Sequence, residues 1–244
     1  MVACRSFRNV SHPTVKTRML KRKHEQSVID LFLRYLNKAS EQQGKKILSF
    51  SLDGQDHLVG ADYLLTETTK FTVIEFKYDE SDISSERNKP IRLVMCSRLE
   101  KENDRLIEHM HCHFIAWSSG FLWGRTVYFN NYSNEVCNRK VLGPLCGLIS
   151  GSPIVEERTN ADEFIEEFLS GDIGLRFECF HSYITWLINN PDDDDGDGPH
   201  EFIELLLLDE DRDNFSMVTF HSLLELKEWL DNHHPEPTMA IFAQ

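Results

Sequence analysis

Apolar residues recur at helical spacing over residues 23–39, where Val28, Ile29, Leu31, Phe32, Leu33, Tyr35 and Leu36 cover a broad face and Gly44 lies beyond. The pattern predicts a substantially buried helix. The residues ahead of it, 1–22, are basic with little apolar periodicity and read as an arm. Three strand-like runs follow, 46–52, 57–66 and 71–78, separated by Asp53-Gly54 and by the polar tip Glu67-Thr68-Thr69-Lys70. They predict an antiparallel meander. Pro90 suits the first turn of a second helix continuing to about residue 110, and two more strands are expected at 113–117 and 122–129. The order helix, three strands, helix, two strands requires a late strand to cross over the second helix and rejoin the sheet.

Beyond this αβββαβ core, residues 143–153 read as a loop. Asn160-Ala-Asp-Glu163 is a capping box for a helix ended by Gly171, and a further helix spans about 175–189. An acidic linker, 191–199, then precedes an expected hairpin, 201–208 with 215–220, and a helix opened by Ser222-Leu-Leu-Glu225. The fold class predicted is α/β, a mixed sheet flanked by helices with an acidic α+β extension, divided at residues 1–155 and 156–244.

Charge sharpens this division. Residues 1–46 hold 11 Lys and Arg against 3 Asp and Glu, residues 47–155 hold 11 against 14, and residues 156–236 hold 4 against 23. The front is thus suited to phosphates and the rear is not. With 41% hydrophobic and 27% charged residues the composition is that of an ordinary globular chain, and no run approaches the roughly 20 apolar residues of a membrane-spanning helix. The Arg-bearing start lacks a signal peptide's apolar core, so the expectation is a cytoplasmic protein without membrane contact. Six scattered cysteines without Cys-x-x-Cys are expected to be reduced.

The candidate chemistry lies in Gly60-Ala-Asp62-Tyr-Leu-Leu-Thr and Phe71-Thr-Val-Ile-Glu75-Phe-Lys77, apolar strands that carry charges where a core strand should not. If the hairpin turns between Thr68 and Thr69, Asp62 stands opposite Glu75, and Lys77 projects from the same face. Two facing carboxylates repel unless a cation, a shared proton or a basic neighbour intervenes. Paired hard oxygen ligands beside an ammonium suit magnesium that keeps several waters and binds a phosphate oxygen.

Asp62 followed by Glu75-x-Lys77 at the end of an apolar strand, within αβββαβ, resembles the PD-(D/E)xK superfamily of restriction and repair nucleases, over roughly residues 23–130. Ala61 stands where the pattern's Pro would be, and the second helix lacks an early Gln. The resemblance implies DNA phosphodiester hydrolysis dependent on Mg²⁺ or Mn²⁺, with Asp62, Glu75 and the Phe76 carbonyl as metal ligands and Lys77 orienting or helping to deprotonate the attacking water. It implies a carboxylate from the first helix, Glu25 ahead of Asp30, and a polar group from the second helix, Arg92 with Lys89 and Arg87 nearby. DNA would meet Arg87, Lys89 and Arg92 and the basic arm at Lys21, Arg22 and Lys23. A small nuclease without its own recognition module implies a partner helicase or ATPase in an antiviral defence or restriction system, with homo-oligomerisation left open. The rival reading is an inactive nuclease-fold adaptor that docks a partner protein.

Other signals carry less. His109, His111 and His113 lack a second cluster to complete a zinc site. Asp193, Asp195, Asp197, Gly198 and Glu204 fit the EF-hand loop pattern, but Pro199 and an expected strand at Glu204 break its context, so the stretch reads as a solvated linker. Trp117, Trp123, Trp186 and Trp229 are expected in the core.

Overall fold

The computed structural model describes residues 15–121, 123–189, 203–208 and 216–234. The chain is an α/β protein whose mixed, mostly antiparallel sheet is flanked by helices. Helix α1 (Val15–Gln42) leads into β1 (Leu48–Ser51), a single turn α2 (Asp56–Val59), then β2 (Tyr63–Thr66) and β3 (Lys70–Lys77). The β2/β3 register pairs Tyr63 with Ile74 and Thr66 with Phe71, so the turn lies at Thr68-Thr69 as the pattern predicts. Thr68 takes the left-handed conformation there (φ 83°), and its N–H donates to Thr66 Oγ1 at 3.0 Å.

The strand expected at 57–66 is shorter. Gly60, in the left-handed region at φ 79°, ends α2 by donating its N–H to the Asp56 carbonyl at 2.9 Å, so β2 begins only at Tyr63. The second helix is likewise two. After a 3₁₀ segment over Glu80–Asn88, α3 (Pro90–Leu99) and α4 (Asn103–Cys112) meet at the charged corner Glu100-Lys101-Glu102, which offers no apolar side chain to bury. β4 (His113–Phe121) then runs parallel to β3, and β5 (Gly124–Asn131) returns antiparallel. Two short helices that the pattern did not reveal, α5 (Tyr132–Val136) and α6 (Arg139–Leu142), precede the loop.

Later segments join the same sheet. β6 (Thr159–Asn160) pairs with β5, and β7 (Leu175–Arg176) pairs with the start of β3. α7 (Ala161–Ser170) opens on the expected capping box: Asn160 accepts from the Asp162 and Glu163 N–H groups while Glu163 accepts from Asn160. α8 (Phe177–Ile188) follows, then the hairpin β8 (Leu205–Leu208) and β9 (Met217–Phe220), and α9 (Leu223–His233) capped by Ser222.

The sheet has an apolar layer on each side. On one, α1 and α7 bring Ile29, Phe32, Leu36, Phe164 and Phe168 onto Ile74, Phe76, Phe114 and Phe129, with Phe129 and Phe164 stacked at 4.0 Å. On the other, α3, α4 and α8 cover Phe71, Val73, Ile115 and Trp117. This second layer extends through Phe50 and Phe220 to Leu226 and Leu230 of α9. Trp117 is buried and Trp186 and Trp229 pack against this layer, but Trp123 is fully exposed at the tip of the β4/β5 hairpin, which buries nothing there. Cys96 and Cys137 are joined as a disulfide with Cα atoms 5.4 Å apart, in place of the reduced pair expected. No helix among the described residues is long and apolar enough to cross a membrane.

Candidate active site

Strand β3 alternates between the two layers, Ile74 and Phe76 to one side, Phe71 and Val73 to the other. Glu75 and Lys77 continue the second side past its apolar stretch, at the end of β3 that lies beside Ile115 and Trp117 of β4. Asp62 comes in from β2. Its N–H donates to the Ile74 carbonyl (2.9 Å), the residue already paired with Tyr63, so the strand bends at Asp62 in the manner of a bulge instead of running straight past Glu75. The bend lets Asp62 Oδ2 accept the Phe76 N–H at 2.6 Å.

Six charged side chains meet here. Glu75, 1% exposed, receives the Lys77 ammonium on Oε1, where Lys89 Nζ also lies at 2.8 Å. Lys77 Nζ is 2.9 Å and Lys89 Nζ 3.2 Å from Glu86 Oε1. Arg92 Nε donates to Glu86 Oε2 at 2.9 Å, and the Tyr132 hydroxyl donates to the same oxygen at 2.6 Å. Glu86, from the 3₁₀ segment, is fully buried and central, yet nothing in the sequence reading selected it. Its only signal was a Lys three residues and an Arg six residues onward. Among the described residues Glu75 Oε2 is buried without a hydrogen-bond partner, facing Arg92 Nη2 at 3.8 Å.

The electrostatics follow from burial and from these partners. Desolvation first, then repulsion by Glu75, pushes the Asp62 carboxyl up to about 8, against the opposing pull of Lys77, the Phe76 N–H and Lys89. Asp62 is therefore largely protonated near neutrality. Burial alone would lower Lys77 and raise Glu86, but the carboxylates around Lys77 and the cations around Glu86 outweigh it, holding Lys77 above and Glu86 below their ordinary ranges. Lys77 is thus an ammonium that donates and does not accept protons. Glu25 also lies close: desolvation raises its carboxyl, Lys77 opposes, and its carboxylate accepts the Tyr78 N–H.

The remaining expected residues are placed differently. Asp30 is exposed and accepts from Gln26 at 2.8 Å, away from the cluster. Arg87 is exposed and donates to the Lys140 carbonyl at 3.2 Å. Arg92 is 1% exposed and held by Glu86, so it meets no phosphate from the surface, and Lys89 already contacts Glu75. The side chains of Lys21, Arg22 and Lys23 lie outside the described residues, although the backbone there is helical. Of Asp193, Asp195, Asp197, Gly198 and Glu204, only Glu204 lies within the described residues, and its main chain is bridged by the Gln55 side chain, with both bonds at 2.8 Å.

The histidines form a buried relay behind the cluster. Nε2 of His113 lies 3.1 Å from the Gly60 carbonyl, which only accepts, so that nitrogen carries the proton. His113 Nδ1 then accepts from Tyr183 OH (2.8 Å), whose oxygen accepts from His109 Nδ1 (2.8 Å), leaving His109 Nε2 to accept the Ser133 N–H (3.1 Å). Both rings are neutral in this arrangement, in keeping with the burial that pushes His113 down to about 3 and His109 well below its usual range. His111 belongs to helix α4 and is exposed, so the three do not share a zinc-binding face. The relay ends two residues before Asp62, and a Cβ on Gly60 would fall 2.5 Å from Arg92 Nη1.

The Glu75 Oε2 atom, which has no hydrogen-bond partner, and the Asp62 carboxyl are the oxygen donors here that could hold a divalent cation. No group of three or more His, Cys, Asp and Glu among the described residues is arranged to hold a metal. Comparison with known proteins gave no match to a family model, a curated protein or a solved structure.

Proposed function

We propose that the chain is a metal-dependent nuclease acting on DNA. The observation that carries this reading is the meeting of Asp62, Glu75 and Lys77 at the end of β3, in a helix, three-strand, helix-pair, parallel-strand frame. Asp62, Glu75 and the Phe76 carbonyl would hold magnesium or manganese, which supplies charge against the negative charge that develops on a phosphoryl group. Lys77, protonated, donates to a phosphate oxygen or fixes a water beside it, and Glu25 takes up a proton at the same edge. Cleavage of end-labelled duplex and single-stranded DNA with Mg²⁺ or Mn²⁺ tests the reading, with Glu75→Gln and Lys77→Met expected to be inactive. No metal-dependent cleavage by the parent on either substrate overturns it. A helicase or ATPase partner belongs to the same proposal.

One observation favours the rival reading of an inactive adaptor: Lys77, Lys89 and Arg92 already neutralise Glu75 and Glu86. Calorimetric titration with Mn²⁺ separates the two, because a site closed by its own cations takes up no ion at millimolar metal.

A further inference from the structure

A second cleft begins where the cluster ends. It has a volume of about 540 Å³ and lies between α1 and the β5/α7 edge. It adjoins the candidate site along the chain: His24 precedes Glu25, Tyr78 follows Lys77, and the Glu25 carboxylate accepts the Tyr78 N–H. Within it, planar groups lie close together. The Arg125 guanidinium sits 4.4 Å from the centre of the Tyr78 ring, and the His24 ring is 5.3 Å from it, tilted by 32°. Leu31 and Tyr35 form an apolar lip, 63% and 48% exposed, and the Tyr35 hydroxyl donates to Asp162 Oδ1 at 2.6 Å. Aromatic and guanidinium planes beside polar edges suit a flat heterocycle, since every base has a π-face to stack and edges to bond.

Charge points to the same ligand. Residues 15–23, the helical turns leading into His24, contain five Lys and Arg and no Asp or Glu. At 1.5 Å per residue the distance from Lys16 to His24 is about 12 Å along the axis, room for roughly two phosphates of an extended strand. A base stacked and paired within continuous duplex does not present its face to such a cleft, whereas an unpaired base can enter it.

We propose that this cleft is a subsite for an unpaired nucleobase, so that the chain takes single-stranded DNA, or a single-stranded end, in preference to continuous duplex. The strand's path past Lys77 rests on the nuclease reading, but occupation of the cleft does not need catalysis. The test therefore uses the full chain in EDTA with a 12-nucleotide DNA carrying 2-aminopurine, whose fluorescence is quenched on stacking, and the matching duplex. The expected result is quenching on binding, with affinity for the single strand lowered roughly tenfold in Leu31→Ser/Tyr35→Ala and duplex affinity changed less than twofold. Leu31 and about half of Tyr35 are exposed, and the Tyr35–Asp162 hydrogen bond is at the surface, so the melting temperature should change little. No quenching by the parent, or an equal loss on both DNAs, overturns the subsite. If the subsite fails while magnesium-dependent cleavage of duplex persists, the nuclease reading stands alone. If quenching and its loss are seen without any cleavage, the subsite stands and the nuclease reading fails.

Discussion

Replacing Asp62 by Asn should make the protein more stable at neutral pH, and by an amount that grows with pH. The carboxyl titrates near 8 in the folded chain against 3.8 for the ordinary group, so the folded state keeps a proton that the unfolded state releases between those values. The folded state then binds more protons than the unfolded one, and its stability falls as pH rises from about 4 to about 8. At 1.36 kcal/mol per unit the ceiling on this cost is roughly 1.6 kcal/mol at pH 5 and 4.4 at pH 7. Asp62 is only partly buried by accessible surface, and solvent screening reduces the difference between the two pH values to about 1–2 kcal/mol. Asparagine keeps the acceptor for the Phe76 N–H and loses the charge, so the comparison isolates the electrostatic cost.

Urea denaturation of parent and Asp62→Asn at pH 5, 6, 7 and 8 in EDTA reads this directly. The His113 contribution, which has the opposite sign because burial lowers its titration to about 3, is common to both proteins and drops out of the difference. The stability gap should widen by about 1–2 kcal/mol between pH 5 and 7 and level off near pH 8. A gap independent of pH refutes the account of Asp62 as a carboxyl held neutral by burial and by Glu75. Adding magnesium at pH 8 should then stabilise the parent and not the variant.

Glu86→Gln leaves Lys77, Lys89 and Arg92 facing one another around a neutral amide, and a loss of about 3 kcal/mol is expected in chemical denaturation; a loss below about 1 kcal/mol contradicts the central place given to this residue. Tyr183→Phe removes the hydroxyl that links His113 to His109 and should cost about 1–3 kcal/mol, measured the same way, with little effect if water replaces the link. Gly60→Ala requires a side chain in left-handed backbone and against Arg92, so its melting temperature should drop, while a stable variant shows that the Arg92 side chain can move aside. Lys89→Met should raise the Mn²⁺ affinity measured by calorimetry, because this is the more exposed of the two ammonium groups on Glu75; an unchanged or weaker affinity assigns Lys89 a holding role.

The β2/β3 hairpin was legible because its information is local. A period of two, a polar tip and paired apolar runs set the register through Tyr63 and Ile74, and that register brings Asp62 toward Glu75. The α7 boundaries were legible for the same reason, since Asn160, Glu163 and Gly171 act within one turn of their own helix. The bend at Asp62 was not, because Gly60 reads as an interruption in a strand until its contact with Arg92, thirty-two residues later, is known. Helices α5 and α6 were hidden by polarity. Asn134 and Glu135 of α5 and the Asn138 cap of α6 interrupt any apolar period, yet each is buried through a specific partner, Glu135 by a bidentate pair with Arg158 at 2.7 and 2.8 Å.

Glu86 marks the same limit at the site itself. Its segment, Glu80–Asn88, has one apolar residue, Ile83, and neither a helical nor a strand period of apolar residues runs through it. What buries Glu86 is the set of donors gathered from β3, α3 and α5, so its role exists only after Lys77, Arg92 and Tyr132 have been brought together. The consequence is chemical. A motif of Asp62, Glu75 and Lys77 alone carries net negative charge and demands a cation, whereas the folded cluster with Glu86, Lys89 and Arg92 balances three acids against three bases. Protonation of Asp62 tips that balance toward positive, and on the proposed metal-dependent reading an ion would have to displace this proton and compete with Lys89 for Glu75. On that reading metal uptake would be coupled to pH and to the position of one half-buried lysine, a dependence that the three motif residues by themselves do not contain.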